Sequence, residues 1–392
     1  MTEYAMGEHL PDVFDVAVVG GGPAGAAAAL AARAAGASVA LIDRAGFPRD
    51  KACGDGIAAP TVEALVDLGI TGAVAGYEPI DTLRLIAPSG CAVARRLSHP
   101  AYTIPREVFD ARLHEAAVAA GAVPVRHAVR ALRRRGGRVE LDGALAARTV
   151  IGADGAGSVI RRLLGFGPNP DGHVAIAIRG YAPALPGPAE QLIVTSSARW
   201  PAYAWAFPIG DGRANVGYGE VLQGRPTSRA HLIERLAALL PTLDHGAVTG
   251  LRAHHLPLST RRPPPGRGPV LLAGDALSLI NPFTGEGIFY AVLSGALAGR
   301  AAALARAAPD RAVDRYRRAL RQRLGRHLAH SRVAAALAQH PRIVDAAITA
   351  AARDQRVFGA LVALGLGDGR LDGRTLLRIA AGLRAERSTV GS

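Results

Sequence analysis

Three glycines, Gly20, Gly22 and Gly25, stand in the spacing Gly-x-Gly-x-x-Gly. That spacing suits a turn that bends tightly, lets backbone approach a pyrophosphate and packs a helix closely on a strand. A helix beginning there directs N–H groups and its positive dipole end at phosphate. Asp43, 18 residues after Gly25, stands where a carboxylate hydrogen-bonds an adenosine ribose. Arg44 beside it leaves open a nucleotide with a 2′-phosphate. Two further aspartates, Asp154 in Gly152-Ala153-Asp154-Gly155 and Asp275 in Gly274-Asp275-Ala276, each read alone as turn or cap residues. Lys51 and Cys53 pair a cation with a thiol that can hold a proton, or else a salt-bridged lysine with a small buried cysteine. Tyr203 and Trp205 alternate as on a strand, so both face one side, lining a pocket or filling a sheet face.

The elements that must position these residues follow from the pattern. Phe14–Val19 is a short apolar run ending at the glycine cluster, as a buried parallel strand does. Residues 23–35 are alanine-rich and predict a helix closed by Gly36, and Ser38–Ile42 predict a second buried strand ending at Asp43. Residues 81–97 predict a hairpin about Pro88-Ser89-Gly90, and 173–221 predict further short strands between Gly, Pro and Asp turns. Arg106–Gly121 predict a helix, Thr149–Ile151 and Val270–Leu272 strands that enter glycine turns, and the chain from Gly285 on mostly helix. The order implies an α/β protein with a Rossmann-type cofactor domain in three pieces, 10–75, 100–165 and 266–305. An inserted β-rich substrate layer takes 76–99 and 166–262, and a helical region 306–392.

The 49% hydrophobic and 20% charged residues describe a globular chain with a substantial core. Cys53 and Cys91 make no disulfide framework and have no metal-ligand spacing. The acidic start lacks an apolar leader, and the best apolar stretch, 289–308, is interrupted by Arg300 and Arg306. The expectation is a reduced, cytoplasmic protein, peripheral at most to a membrane. The net charge of +14 is nearly all arginine, and Lys51 is the sole lysine, which points to coding bias. No nucleic-acid motif accompanies it, so no nucleic-acid partner is expected. Val313, Tyr316, Leu320, Leu324 and Leu328 recur at helical spacing, with arginines on the other faces between 315 and 326. This helix either packs on the cofactor domain with a solvated basic face, or meets anionic lipid or an acidic carrier protein.

Together, the segment from Gly152 through Asp154, Ser158 and Arg161-Arg162, and Gly274-Asp275-Ala276 followed by Pro282-Phe283-Thr284-Gly285-Glu286-Gly287, resemble the paired signatures of FAD-dependent hydroxylases and reductases. The resemblance implies FAD, with Asp275 on the ribityl chain and the helix beginning at Gly287-Ile288 aimed at the flavin pyrimidine edge. N–H groups there would offset negative charge near N1 of the reduced flavin. A finer resemblance, over most of the chain to about residue 300, is to the geranylgeranyl reductase family, within the wider para-hydroxybenzoate-hydroxylase-like flavoproteins. It rests on Lys51-Ala52-Cys53-Gly54-Asp55-Gly56, on Tyr203-Ala204-Trp205-Ala206-Phe207-Pro208 with Asn215-Val216-Gly217, on Ile280–Ile288, and on Arg106, matching that family's FAD-contacting arginine.

The resemblance implies reduction of carbon–carbon double bonds in a small apolar, prenyl-type substrate. Lys51, Cys53, Tyr203 and Trp205 would stand beside the flavin, and Cys53, Gly54 and Arg106 would touch it. The single dinucleotide motif implies that electrons arrive from visiting NAD(P)H or from a separate reductase or ferredoxin. A second reading is an FAD-dependent monooxygenase tailoring a secondary metabolite, against which Ser278 stands where the common hydroxylase pattern has histidine. A halogenase would show a tryptophan at Tyr203 and an isoleucine at Phe207. A flavin-binding protein without redox turnover is the remaining alternative.

Overall fold

The computed structural model describes residues 12–389, with side chains to residue 381. The acidic start of the chain and the first residues of the 10–75 piece lie outside these. Strand β1 (Phe14–Val19) is almost wholly buried and runs into the glycine turn, after which α1 (Pro23–Ala34) leads to β2 (Val39–Asp43). Next come β3 (Gly56–Ile57), α2 (Ala59–Val66) and the long hairpin β4 (Ile80–Ile86) and β5 (Ala92–Thr103). Helix α3 (Arg106–Ala119) then returns the chain to the first sheet through β6 (Val123–Arg126), β7 (Leu132–Arg135), β8 (Arg138–Leu141) and β9 (Leu145–Gly152).

After the single turn-and-a-half of α4 (Val159–Leu163), β10 (Val174–Pro183), β11 (Gln191–Thr195), β12 (Ala202–Pro208) and β13 (Arg213–Val221) build the second sheet. Helix α5 (Arg229–Leu239) covers it, β14 (Thr249–Pro257) completes it, and β15 (Gly266–Arg267) and β16 (Val270–Leu272) rejoin the first sheet. Five helices end the chain: α6 (Ile288–Ala303), α7 (Ala312–Leu337), α8 (Pro341–Arg353), α9 (Gln355–Leu366) and α10 (Gly373–Thr389).

The first sheet runs β15-β16-β9-β1-β2-β6, with the β7–β8 hairpin attached to β9. Its centre is parallel, with β9 and β2 flanking β1, so the turns after β1, β9 and β16 all open at one edge. The second sheet runs β14-β10-β13-β12-β11-β4-β5-β3 and is antiparallel except between β11 and β4. This is the α/β architecture expected: a Rossmann-type sheet, a strand-rich layer inserted in sequence, and C-terminal helices.

The short strand β3, from within the 10–75 stretch, joins the edge of the second sheet through β5. Helix α7 lies against the cofactor domain, with Val313, Tyr316, Leu324 and Leu328 buried, and two of its arginines, Arg317 and Arg323, meet Asp314 and Asp368. Beyond it, α8 to α10 roof the second sheet: Ala346, Ile348, Val357 and Phe358 pack on Leu83 and Val93.

Close packing of α1 on α6 holds the site together. A Cβ added at Gly295 or Gly299 would lie 2.1 Å from the carbonyl oxygen of Ala24 or Ala28. Two glycines four residues apart therefore let the helices touch backbone to backbone, which seats the first turns of α1 against the middle of α6.

Candidate active site

A single cavity of about 1520 Å³ runs from the glycine turn after β1 to the roof of the second sheet. At one end Gly20, Gly22, Pro23 and Ala24 line it, with Asp43 and Arg44 at the end of β2. Helix α1 has no side-chain cap, so the N–H groups of its first turn open on the cavity. A Cβ at Gly25 would lie 1.7 Å from the carbonyl oxygen of Gly20. Gly25 is thus behind the surface and shapes the turn from within. Asp43 accepts from the N–H of Gly21 at 2.7 Å and of Ala45 at 2.9 Å, which holds the turn against β2. A bare helix start, a turn without Cβ atoms and an adjacent carboxylate fit the pyrophosphate and ribose of FAD.

Further in, Lys51, Cys53, Gly54, Arg106, Asp154 and Asp275 line the same space. Lys51 Nζ lies 3.3 Å from Asp275 Oδ2, joining segments more than 200 residues apart in sequence. Asp154 accepts from Ser158 Oγ at 2.5 Å and from the N–H groups of Val159 and Ile160, so its carboxylate is engaged in starting α4 while its turn borders the cavity. Gly274 is buried behind the surface, its N–H bound to Ser294 Oγ on α6 at 2.9 Å. Arg161 ties this turn to that of β9 by donating to Ser278 Oγ at 2.8 Å, a role for the serine that the sequence comparison with hydroxylases left unused.

Pro282, Gly285, Gly287 and Ile288 form the wall where α6 begins. The turn is fixed from within, since Asn281 Oδ1 accepts from Phe283 N at 2.9 Å and Glu286 Oε1 from Phe289 N at 2.8 Å. It is fixed from outside by the roof: Asn281 Nδ2 donates to the Leu364 carbonyl at 2.9 Å, and Thr284 Oγ1 to that of Gly365 at 2.6 Å. Tyr290 OH donates to the carbonyl of Gly367 at 2.7 Å.

Tyr203 and Trp205 both face the cavity from β12, their ring centroids 5.9 Å apart. The Tyr203 hydroxyl donates to the carbonyl of Thr284 in the α6 turn. Trp205 Nε1 donates to Asn215 Oδ1 at 2.8 Å, and Asn215 Nδ2 donates to the Cys53 carbonyl at 2.9 Å and to Asp55 Oδ2 at 2.8 Å. Tyr181 OH also donates to Asp55, at 2.6 Å. These bonds clamp the 53–55 loop to the second sheet. Asn215 and Asp55 were legible only as members of a motif. A buried asparagine within an apolar strand, and an aspartate between two glycines, are the signals that set them apart.

The electrostatics suit proton handling. Burial pushes the Cys53 thiol up, and this outweighs the opposing pull of Arg106, so Cys53 rests as a neutral thiol. Arg106 is itself buried and forms a two-pronged pair with Asp110, Nε–Oδ1 2.6 Å and Nη2–Oδ2 2.7 Å. Although burial opposes its charge, the Asp110 carboxylate keeps Arg106 protonated. Asp110, one helical turn along α3, was not singled out in the sequence, though its spacing from Arg106 carries the signal. Burial raises Asp55 to about 6, against the bonds from Tyr181 and Asn215, and raises Glu286 to about 7 against N–H groups of α6.

A carboxyl raised in the folded state stabilises the fold below its ordinary range, and that contribution fades as pH rises through the folded value. For Glu286 the window runs from about 4.5 to about 7. His114 and His254, which burial lowers, titrate nearby with the opposite sign, so the comparison must be with Glu286→Gln. The Gln variant is expected to gain urea resistance relative to wild type as pH is raised from about 5 to about 8. Parallel pH profiles for the two proteins would show that Glu286 does not titrate in this range.

Residues 13–186 match the family model described as an FAD binding domain. Menaquinone reductase of Mycolicibacterium smegmatis is 34% identical over 311 residues, 72% of this chain and 75% of that protein. Digeranylgeranylglycerophospholipid reductase 1 of Methanopyrus kandleri is 35% identical over 311 residues, 74% of this chain and 80% of that one. Among solved structures, a geranylgeranyl bacteriochlorophyll reductase-like protein of Thermoplasma acidophilum superposes with a TM-score of 0.79 at 22% identity, over 96% of this chain and 99% of that one. The last is a likeness of fold; the two reductases add sequence identity across both the cofactor and the substrate layers. With the flavin cradle described above, they establish that this chain is an FAD-dependent oxidoreductase of the geranylgeranyl reductase family.

Proposed function

We propose that the enzyme reduces carbon–carbon double bonds in a prenyl-type chain. The observation that carries this reading is the shape and lining of the cavity beyond Tyr203 and Trp205. There it runs between the inner face of the second sheet, with Leu83, Leu85 and Ile193, and the roof helices, with Val344, Ile348 and Leu361. Such a lining offers an extended hydrocarbon burial worth about 25 cal/mol per Å², with the unpartnered amide of Gln191 on the same strand as Ile193. Glu220, a carboxylate of the second sheet that lines the cavity, is engaged by Arg199, Tyr218 and Thr227.

Gly20, Gly22, Asp43, Lys51, Arg106, Asp275 and the turn at Gly285–Ile288 would hold FAD, which when bound and reduced supplies hydride from N5. The protein's own part is to place an alkene between that edge and Cys53, and to exclude water from it. Tyr203 and Trp205, each fixed by a hydrogen bond, wall the passage between flavin and hydrocarbon space. Cys53 Sγ holds the proton that the second alkene carbon takes, and the guanidinium of Arg106 stabilises the thiolate left behind. Electrons would come from visiting NAD(P)H or from a separate reductase or ferredoxin, since the sequence carries one dinucleotide motif.

The test is anaerobic turnover of dithionite-reduced protein with a polyprenyl alcohol, its diphosphate and menaquinone, read by mass spectrometry. Saturation of at least one substrate is expected, and Cys53→Ala is expected to slow it about 10²-fold with the flavin spectrum unchanged. Turnover only with oxygen, giving a hydroxylated product, would reject the reductase reading. Full activity in Cys53→Ala would move the proton source elsewhere.

A further inference from the structure

The hydrocarbon end of the cavity is not closed. Val333 and Leu337 on α7 and Leu376 on α10 line it, yet 62%, 48% and 46% of their surfaces face solvent. Neighbouring Leu377 is 72% exposed. Among the described residues seven large hydrophobics are exposed, and four of them stand near the end of α7 and on α10, three lining the one cavity. Scattered exposed leucines need no explanation, whereas a cluster rimming the entrance to an apolar cavity marks an interaction site.

The charge around this rim has one sign in excess. Arg326 and His330 continue the stripe of Val333 and Leu337 along α7, and Arg332, Arg342 and Arg374 flank it; all are exposed. None of these arginines forms an ion pair among the described residues. Of the acids on these segments, Asp368 pairs with Arg323 and Asp354 with Arg378, while Asp345 and Asp372 accept from the N–H groups of Ser89 and Thr375 and keep their charge, which leaves the arginines in excess. An exposed apolar surface with arginines in excess on the same segments is complementary to an anionic bilayer, with side chains in the acyl boundary and guanidinium groups on phosphates. No helix among the described residues is long and apolar enough to cross a membrane, so the contact is with one leaflet.

We propose that this rim docks on the surface of an anionic bilayer, and that the cavity takes its substrate directly from the hydrocarbon layer. The site is the tip formed by the end of α7 and the face of α10, distinct from the arginine-rich middle of α7. The nature of the cargo rests on the prenyl-chain reading; the docking does not.

The experiment is sedimentation of the FAD-loaded protein with phosphatidylcholine vesicles, with and without phosphatidylglycerol. Binding is expected only to the anionic vesicles, and Leu337→Glu/Leu377→Glu is expected to weaken it at least about tenfold. Both positions are exposed, so flavin content and unfolding midpoint should be unchanged in that variant. Arg332→Gln/Arg374→Gln should weaken binding as well. Arg133→Gln/Arg135→Gln, on the distant β7–β8 hairpin, should not, and this controls for the overall basicity. Protein left in the supernatant would overturn the proposal. So would equal binding by the Leu→Glu variant, since that would be charge attraction without a defined face. Activity on a short, water-soluble prenyl alcohol without vesicles separates the two readings. Its presence in a protein that binds no vesicles sinks only the docking, and vesicle binding without any alkene reduction sinks only the substrate class.

Discussion

Gly25→Ala is expected to yield protein that folds but purifies without flavin. The added methyl would lie 1.7 Å from the Gly20 carbonyl oxygen and 2.8 Å from its carbonyl carbon. Both are backbone atoms, so no side-chain rotation relieves the clash. The start of α1 must then swing away from the turn after β1, and the N–H groups that would meet the pyrophosphate lose their aim. A loss of at least about 10²-fold in FAD affinity is expected, equivalent to about 2.7 kcal/mol. Flavin absorbance per mole of purified protein, followed by titration with added FAD, reads it. Gly46→Ala is the control, because nothing lies within 4 Å of the position its Cβ would take. Stoichiometric flavin in the Gly25→Ala protein would mean that this turn does not carry the phosphates.

The second large effect is on stability. Arg106→Ala leaves Asp110 fully buried with its two-pronged partner gone. Arg49, 3.5 Å from Asp110 Oδ2, is the one other cation paired with it among the described residues. Removing one member of a buried pair typically costs about 3–5 kcal/mol, because the remaining charge has lost its solvent and its partner together. Asp110→Ala in the same chain should recover part of that loss, as the stranded charge goes with it. Arg106→Lys should fall between, keeping charge but not the fork that matches a carboxylate. Urea unfolding of five proteins, wild type, the double variant, Arg106→Lys and the single Arg106→Ala and Asp110→Ala variants, gives the comparison; a double variant as unstable as the sum of the singles would show that the two residues act independently.

Much of this site was written locally in the sequence. The turn after β1 could be read because its glycine spacing, the apolar strand before it and the alanine-rich helix after it are contiguous, and each obeys a short-range rule. Asp275, Gly285 and Gly287 were recognisable for the same reason. What could not be read is what distant segments do to one another. Lys51 finds Asp275, Trp205 finds Asn215 and thence Cys53, and Tyr203 finds Thr284. Such pairings depend on how the second sheet is laid against the first, which no periodicity encodes. The C-terminal helices show the same limit. The apolar stripe of α7 predicted a helix that either packs on the cofactor domain or meets lipid or a carrier protein, yet nothing in the stripe indicated that α8 to α10 would continue past it to roof the substrate layer. The exposed rim on α7 and α10 emerges only once those helices are folded back.

The bonds that tie the turn before α6, α6 itself and α7 to the roof have one property in common. Asn281, Thr284, Tyr290 and His327 supply the side chains, while the partners at Leu364, Gly365, Gly367 and Gly369 are all backbone carbonyls. A carbonyl is present whatever the residue. The side chains of α9 and α10 that line the cavity can therefore change in size and shape without loosening the frame beside the cofactor site, whereas Gly365 cannot, since a Cβ there would lie 2.7 Å from Thr284 Cγ2. In evolutionary terms, the choice of molecule to be reduced and the apparatus that reduces it are inherited on separate ledgers, joined by a seam that substitution of the lining side chains leaves intact and substitution of its glycines does not.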